Sequence, residues 1–344
     1  MREFTGFRHG VNLGGWLSQC DHPCEEHFNT FITESDIRRI AGMGLDHVRL
    51  PVDYNWIEDE SGAPIESGLK HIDDCADWCA AAGLNVLLDL HKAFGYTFDP
   101  LDKNADREIF FHDAALQERF MALWRRLAER YGNRGHVAFD LLNEVVSPAV
   151  VDEWNDIADR TIAAIREIAP RVWIVVGGVN YNAVTSVPLL APPRDDRVVY
   201  NFHCYEPMIF THQKAYWVDT IPKDLTVHYP GDLEYYLVQS ARCGMDLAGA
   251  IAGKGVKALG PELFEALFGP ALAAAEKNGA PLYCGEYGVI DRAPAEDAAR
   301  WLKDISAAFE KYSVGRALWN YKQKDYGLVD AHYDGIRDEL VKLL

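Results

Sequence analysis

The chain has 344 residues, 49% of them hydrophobic and 25% charged, the balance of a soluble globular protein. That length could hold two domains, but α/β barrels use it as one unit. The formal net charge of −18 is spread along the sequence with no basic stripe, which argues against nucleic acid and membrane partners and suits a neutral substrate.

Short apolar runs alternate with segments of helical period. The first strand candidate, "GVNLGGW" (10–16), precedes "TESDIRRIAGMG", a helix with Thr33 as cap and Gly44 as stop. "HVRLPV" (47–52) precedes the helical "LKHIDDCADWCAAAG", and "NVLLDLH" (85–91) precedes "ALQERFMALWRRLAERYG". "VAFDLLNE" (137–144) leads to "VDEWNDIADRTIAAIREIAP", which should end at Pro170. These helical segments carry apolar residues at spacings of three and four. The remaining strand candidates are "VWIVVGG" (172–178), "VVYNFHCY" (198–205), "LYCGEYG" (282–288) and "RALWNY" (316–321).

Strands alternating with helices imply parallel pairing, because each helix can serve as a crossover. Eight such units at this length predict a (β/α)8 TIM barrel, with the whole chain as a single catalytic domain. A doubly wound open sheet is the alternative, weakened because no GxGxxG follows an early strand. The rhythm breaks between the sixth and seventh strands. There, 206–270 reads as an inserted helical subdomain over the barrel mouth, followed by the crossover helix; a packing appendage is the other reading.

No stretch reaches the roughly 18 apolar residues of a membrane span. "MREFTGFRHG" lacks the apolar core of a signal peptide, so a cytoplasmic or a processed secreted protein is expected. The seven cysteines, an odd number in a large chain, do not suggest a disulfide framework. Cys20 and Cys24, and Cys75 and Cys79, have the spacing of a helical turn, but neither pair is matched by a second one of a closed zinc site. Reduced thiols and no metal are expected.

Active sites of TIM barrels lie at the C-terminal ends of the strands. The second strand carries Arg49, the third ends in His91, and the fourth ends in Asn143 and Glu144. The sixth offers His203 and Tyr205, the seventh Glu286, and the eighth Trp319. Each alone is more often structural; their joint occurrence at strand ends points to chemistry. Two carboxylates across a pocket are the minimal equipment for glycoside hydrolysis: one donates a proton to the leaving oxygen, the other attacks or activates water. The donor needs a raised pKa and its partner must stay ionised, with Arg49 and Tyr205 fitting as donors to the ionised group. Strict alternation would send Asn143 and Glu144 to opposite faces, so a bulge or a break in the ladder is predicted there.

The same residues carry a resemblance to glycoside hydrolase family 5, a (β/α)8 group of retaining enzymes acting mainly on β-linked glycans. "GVNLGGWLSQ", "EHFNTFITESDI", "DHVRLPVDY", "LLNEVV", "YNFHCYEP", "FTHQKAYW", "YCGEYGVI" and "LWNYK" extend it over essentially the whole chain. The sequence most resembles bacterial endo-β-1,4-glucanases with a helical insertion after strand six. The resemblance implies Glu144 as general acid/base and Glu286 as nucleophile, with Arg49 and Tyr205 holding and tuning the latter. It implies His91 and Asn143 around the sugar at the cleavage subsite, Asn143 at its 2-hydroxyl, His203 beside the acid/base, and Trp319 as the platform under the reacting sugar. Many relatives read His-His where this chain has His91-Lys92, which leaves subsite contacts there open.

The implied reaction is double displacement with retained configuration, without metal or organic cofactor, on a β-glucan oligo- or polysaccharide, by a monomer. Trp16, Phe210, Tyr216 and Trp217 are candidates for other sugar subsites, because an aromatic face matches the C–H face of a pyranose; core or lid packing is the equal alternative. Three functional readings follow. The first is an endo-β-1,4-glucanase, including action on mixed-linkage β-glucan. The second is an exo-acting β-glucanase or β-glucosidase with β-1,3 activity, since "GVNLGGW" also occurs in relatives of that kind. The third is a catalytically silent glycan-binding module.

Overall fold

A computed structural model describes residues 2–103 and 105–344. Its parallel strands are β1 (His9–Asn12), β2 (His47–Asp53), β3 (Asn85–Lys92), β4 (Val137–Asp140), β5 (Ile174–Gly177), β6 (Val198–Cys204), β7 (Leu282–Tyr287) and β8 (Gly315–Leu318). They pair in sequence order, and β8 returns to β1 with His9 opposite Arg316, so the barrel is closed. Closure excludes the open doubly wound sheet and leaves no free sheet edge.

Strand alternation sorts the side chains into two sets. Those pointing outward, including Val48, Leu50, Val86 and Leu88, join the helices in one large apolar cluster. Those pointing inward at the N-terminal end, Leu87, Ala138, Val175, Val199, Tyr283 and Ala317, form a second cluster closed by Phe4 and Phe7. The two phenylalanine rings stack at 4.2 Å. Two residues further along the strands, the inward positions become Asp89, Asp140 and Asn201, all buried. At that change from apolar to polar the site begins.

The helices Glu34–Gly42, Glu66–Ala82, Ala114–Tyr131 and Val151–Ile168 form where the period-3.6 segments predict them. At the start of the first, the Thr33 N–H donates to the Asp36 carboxylate at 2.9 Å. Asp113 caps the third by accepting from the N–H groups of Ala115 and Leu116. The β5–β6 crossover has no long helix: it holds the short turn Val179–Asn182 and the 3₁₀ turn Val184–Leu189, over which the helix Pro261–Asn278 packs. Between β6 and that helix lie Met208–Thr211, Leu233–Arg242 and Leu247–Ile251. Position 270 falls inside the helix Pro261–Asn278, so an inserted segment would end at Gly260.

Several strands stop earlier than expected. β1 ends at Asn12, and the chain then turns at Gly15, where φ is +87°. β4 ends at Asp140 and β8 at Leu318. All seven cysteines are free thiols. Among the described residues, no helix is long and apolar enough to cross a membrane.

Candidate active site

Glu144 and Glu286 meet at the C-terminal mouth. One oxygen of each carboxylate and a ring nitrogen of His203 all lie within 4.8 Å of one another. The expected break in strand four is present: the regular ladder stops at Asp140, and Glu144 adopts φ of +43°, a left-handed conformation uncommon for a residue with a side chain. The break is held in place by the Tyr96 hydroxyl, which donates to the Glu144 carbonyl at 2.7 Å and accepts from the Val146 N–H at 2.9 Å. Asn143 and Glu144 therefore both face the mouth.

Glu286 sits in a nest of donors. Arg49 Nη1 donates to its Oε1 at 2.8 Å, and the Tyr205 hydroxyl donates to its Oε2 at 2.9 Å. Glu144 Oε1 instead lies 2.8 Å from His203 Nδ1, while that nitrogen stands 3.7 Å from Glu286. These settings separate the two acids. Burial and the nearby negative charge of Glu286 push Glu144 well above the usual carboxylate range. Burial also raises Glu286, but Arg49 and the Tyr205 hydroxyl oppose it. The proton of the pair therefore resides on Glu144. Burial drives His203 far down, so its imidazole is neutral. The three groups have the spacing of a cation site as well, yet both Glu286 oxygens already have donors, and the set suits proton transfer.

Arg49 is fully buried and fans out further. Nη1 donates to Asn12 Oδ1 at 3.1 Å, Nη2 to Asn143 Oδ1 at 2.9 Å, and Nε to Asp140 at 3.1 Å. Asn143 Nδ2 has no partner among the described residues. His91 Nδ1 lies 2.6 Å from Asp89, and burial drives its pKa down to about 3, so the ring is neutral with Nε2 as acceptor. Its plane is parallel to Trp319 within 2°, with centroids 5.8 Å apart. Gly14 lies against the same indole, where a Cβ would come within 2.6 Å of the ring, so only glycine fits.

The structure thus gathers Arg49, His91, Asn143, Glu144, His203, Tyr205, Glu286 and Trp319 at one mouth. Two other candidates do not join them. Trp16 is fully buried, donates from Nε1 to the Phe28 carbonyl at 2.8 Å and stacks on Trp78. Phe210 is fully buried against Tyr229. Both are core residues, because a ring with no exposed face cannot stack on a sugar. Tyr216 is 55% exposed and meets the half-buried Trp217 edge to face; Trp217 reaches Tyr326, which in turn contacts Tyr205.

Sequence reading missed several neighbours. Asn12, Asp89 and Asp140 contact Arg49, and Asn201 contacts Asp140, all from inward positions on the strands. The sequence signal for them is a polar residue at an inward position of an otherwise apolar strand. Asn180, Tyr181 and Asn182 after β5 form a left-handed run, with φ of 54°, 58° and 53°. Within it Asn182 Nδ2 approaches His203 Nε2 at 3.5 Å, and Tyr181, 41% exposed, is tied by its N–H to the Val145 carbonyl beside Glu144.

Residues 9–325 match the profile of Cellulase (glycosyl hydrolase family 5). The chain belongs to this family. Endoglucanase C of Acetivibrio thermocellus is 42% identical over 344 residues, covering 99% of this chain and 98% of that protein. Cellodextrinase A of Ruminococcus flavefaciens is 42% identical over 318 residues, covering 92% of this chain and 86% of that protein. Thermotoga maritima Cel5A in complex with cellobiose superposes with a TM-score of 0.76 at 22% identity, over 98% of this chain and 97% of that one, a likeness of fold. Within glycosyl hydrolase family 5, the barrel and its mouth are those of a glycoside hydrolase.

Proposed function

We propose that the protein is a retaining endo-β-1,4-glucanase acting on cellulose-like or mixed-linkage β-glucans. The observation that carries the reading is that one carboxylate oxygen of Glu144 and one of Glu286 lie within 4.8 Å of each other, close enough for the two acids to flank a single glycosidic bond. Retention calls for carboxyl groups about 5–5.5 Å apart, whereas inversion needs roughly 6.5–9.5 Å to admit a water. In the proposed cycle Glu286 attacks the anomeric carbon as Glu144 protonates the departing oxygen. Water then enters, Glu144 takes its proton, and the glycosyl–Glu286 ester is cleaved with net retention.

The other roles follow from contacts. Arg49 and Tyr205 hold Glu286 ionised and aimed. His203 fixes Glu144. The unpartnered Asn143 Nδ2 supports a hydrogen bond to the 2-hydroxyl, and the Trp319 ring a platform under the reacting sugar. Tyr216 and Trp217 fit a subsite on the nucleophile side, and Tyr181 one on the acid/base side. We place the segment 206–260 at the edge of the cleft, as the helical insertion of an endoglucanase-like relative, on a single catalytic barrel acting as a monomer.

The kinship with a cellodextrinase keeps exo action in view. Digestion of a defined cello-oligosaccharide with time-resolved product lengths and anomer analysis decides. Internal cleavage with β-configured initial products is expected. Release only from chain ends would replace endo with exo action, α-configured products would reject retention, and no turnover of glycans or of an activated aryl β-glycoside would leave only a binding module.

A further inference from the structure

One guanidinium in this site touches three carboxylates. Arg49 contacts Asp140 at 3.1 Å, Asp89 at 3.0 Å and Glu286 at 2.8 Å. Asp89 and Asp140 stand directly opposite each other on the paired strands β3 and β4, and neither is exposed. If both were ionised they would repel each other and, together with Glu286, overcompensate Arg49. Their hydrogen bonds are unequal. Asp89 Oδ2 takes a short hydrogen bond, 2.6 Å from His91 Nδ1, and stands 3.0 Å from Arg49 Nη2 as an ion-pair contact without hydrogen-bond alignment. Asp140 Oδ2 has the longer contacts, 3.1 Å to Arg49 Nε and 3.4 Å to Asn201 Nδ2. The Oδ1 atoms of both are buried without a donor among the described residues.

We propose that Asp89 and Asp140 share a single proton, carried mainly by Asp140, and that this pair is a positioning device for the nucleophile. A proton on Asp140 Oδ1 would supply the one donor that two opposed carboxylates with partnerless Oδ1 atoms lack. It leaves Arg49 enough positive charge to hold Glu286 ionised, and it leaves Asp89 anionic to fix His91 with Nε2 free for a substrate hydroxyl. Burial lifts both aspartates to about 7 against the pull of Arg49. The other titratable groups facing the pair are Asp53 on β2, Glu144 after β4, and Tyr283 and Glu286 on β7, none of them cationic. Two buried carboxylates sharing a proton because they cannot both ionise is an arrangement known from aspartic proteases.

The positioning role rests on the hydrolase reading of Glu286; the shared proton does not, because it is read without substrate. Infrared spectroscopy of the full chain near neutral pH, in a Glu144→Gln background, should show a buried carboxylic-acid carbonyl band that disappears when Asp140→Asn is added. Should that double variant not fold, labelling the Glu144→Gln protein with heavy-carbon aspartate must shift the band. No aspartate-derived band would overturn the proposal. In kinetics on an aryl β-cellobioside, Asp89→Asn should lower kcat at least about tenfold with a smaller change in KM. Asp140→Asn should lower kcat/KM by less than Asp89→Asn and leave the acid limb of its pH profile in place. Were Asp140 ionised in the active enzyme, removing its charge would lower the Glu286 pKa and move that limb to lower pH, which would also refute the shared proton.

Discussion

At the N-terminal end of the barrel interior, Leu87, Ala138, Val175, Val199, Tyr283 and Ala317 pack on Phe4 and Phe7. Two residues along the same strands, the interior holds Asp89, Asp140 and Asn201 around Arg49. The floor is apolar and satisfied by contact alone. The layer above it must hydrogen-bond nearly every polar atom, because a buried charge without partners is costly. That layer does so around one guanidinium, with His91 and Asn201 as further donors, and among the described residues Asp89, Asp140 and Asn143 each keep one atom without a partner, beside or within the proposed chemistry. The contrast assigns stability to one end of each strand and reactivity to the other, a division this fold makes possible because strand ends can vary while the floor stays packed.

The comparison can be broken or sharpened by substitution at either end. The largest effect is expected for Glu286→Ala, which should lower kcat by roughly 10,000- to 1,000,000-fold on every substrate while the protein unfolds at the same denaturant concentration or a higher one. Steady-state kinetics with oligosaccharide and aryl glycoside together check this.

Glu144→Gln should cost about 100- to 10,000-fold on cello-oligosaccharides and much less for glycosylation by an aryl glycoside whose leaving group needs no proton. Equal losses on both would contradict the acid/base role. The same variant tests the pH dependence. Activity in the wild type needs Glu286 ionised, so kcat/KM falls as pH drops through its pKa. It also needs Glu144 protonated, so kcat/KM falls again as pH rises through that group's raised pKa. With Glu144→Gln the alkaline limb should vanish on the activated substrate.

At the floor, Phe7→Ala should destabilise the fold by about 3–5 kcal/mol in denaturant titrations, with turnover per folded molecule retained. A loss of turnover in the folded variant would show that floor and mouth are coupled. The smallest effect is expected for Tyr181→Ala. Loss of one stacking contact is worth about 0.5–1.5 kcal/mol, or two- to tenfold in kcat/KM on oligosaccharides, with no change on aryl glycosides.

Much of this could be read from residues in order. The apolar runs marked every strand, because a strand buried on both faces needs near-continuous apolar sequence, and the helices followed from spacings of three and four. Polar and aromatic residues of the strands pointed to eight side chains that the structure gathers at one mouth. Trp16 and Phe210 misled because an aromatic beside a strand end reads the same whether it faces a cleft or the core; only the burial against Trp78 and Tyr229 separates the cases. Asp89 and Asp140 read as single polar residues among apolar strand neighbours, and only the closed barrel brings both to one guanidinium.

By itself the sequence determined the barrel and put forward two acids as a pair, because strand and helix periods and residue chemistry are local properties. The tertiary structure alone decided that Glu144 turns inward through a left-handed break, that Glu286 lies on Arg49, and that three carboxylates converge on one cation. Those facts depend on which residues meet across the closed barrel. A charge's cost, and hence its protonation, is set by neighbours far away in the chain.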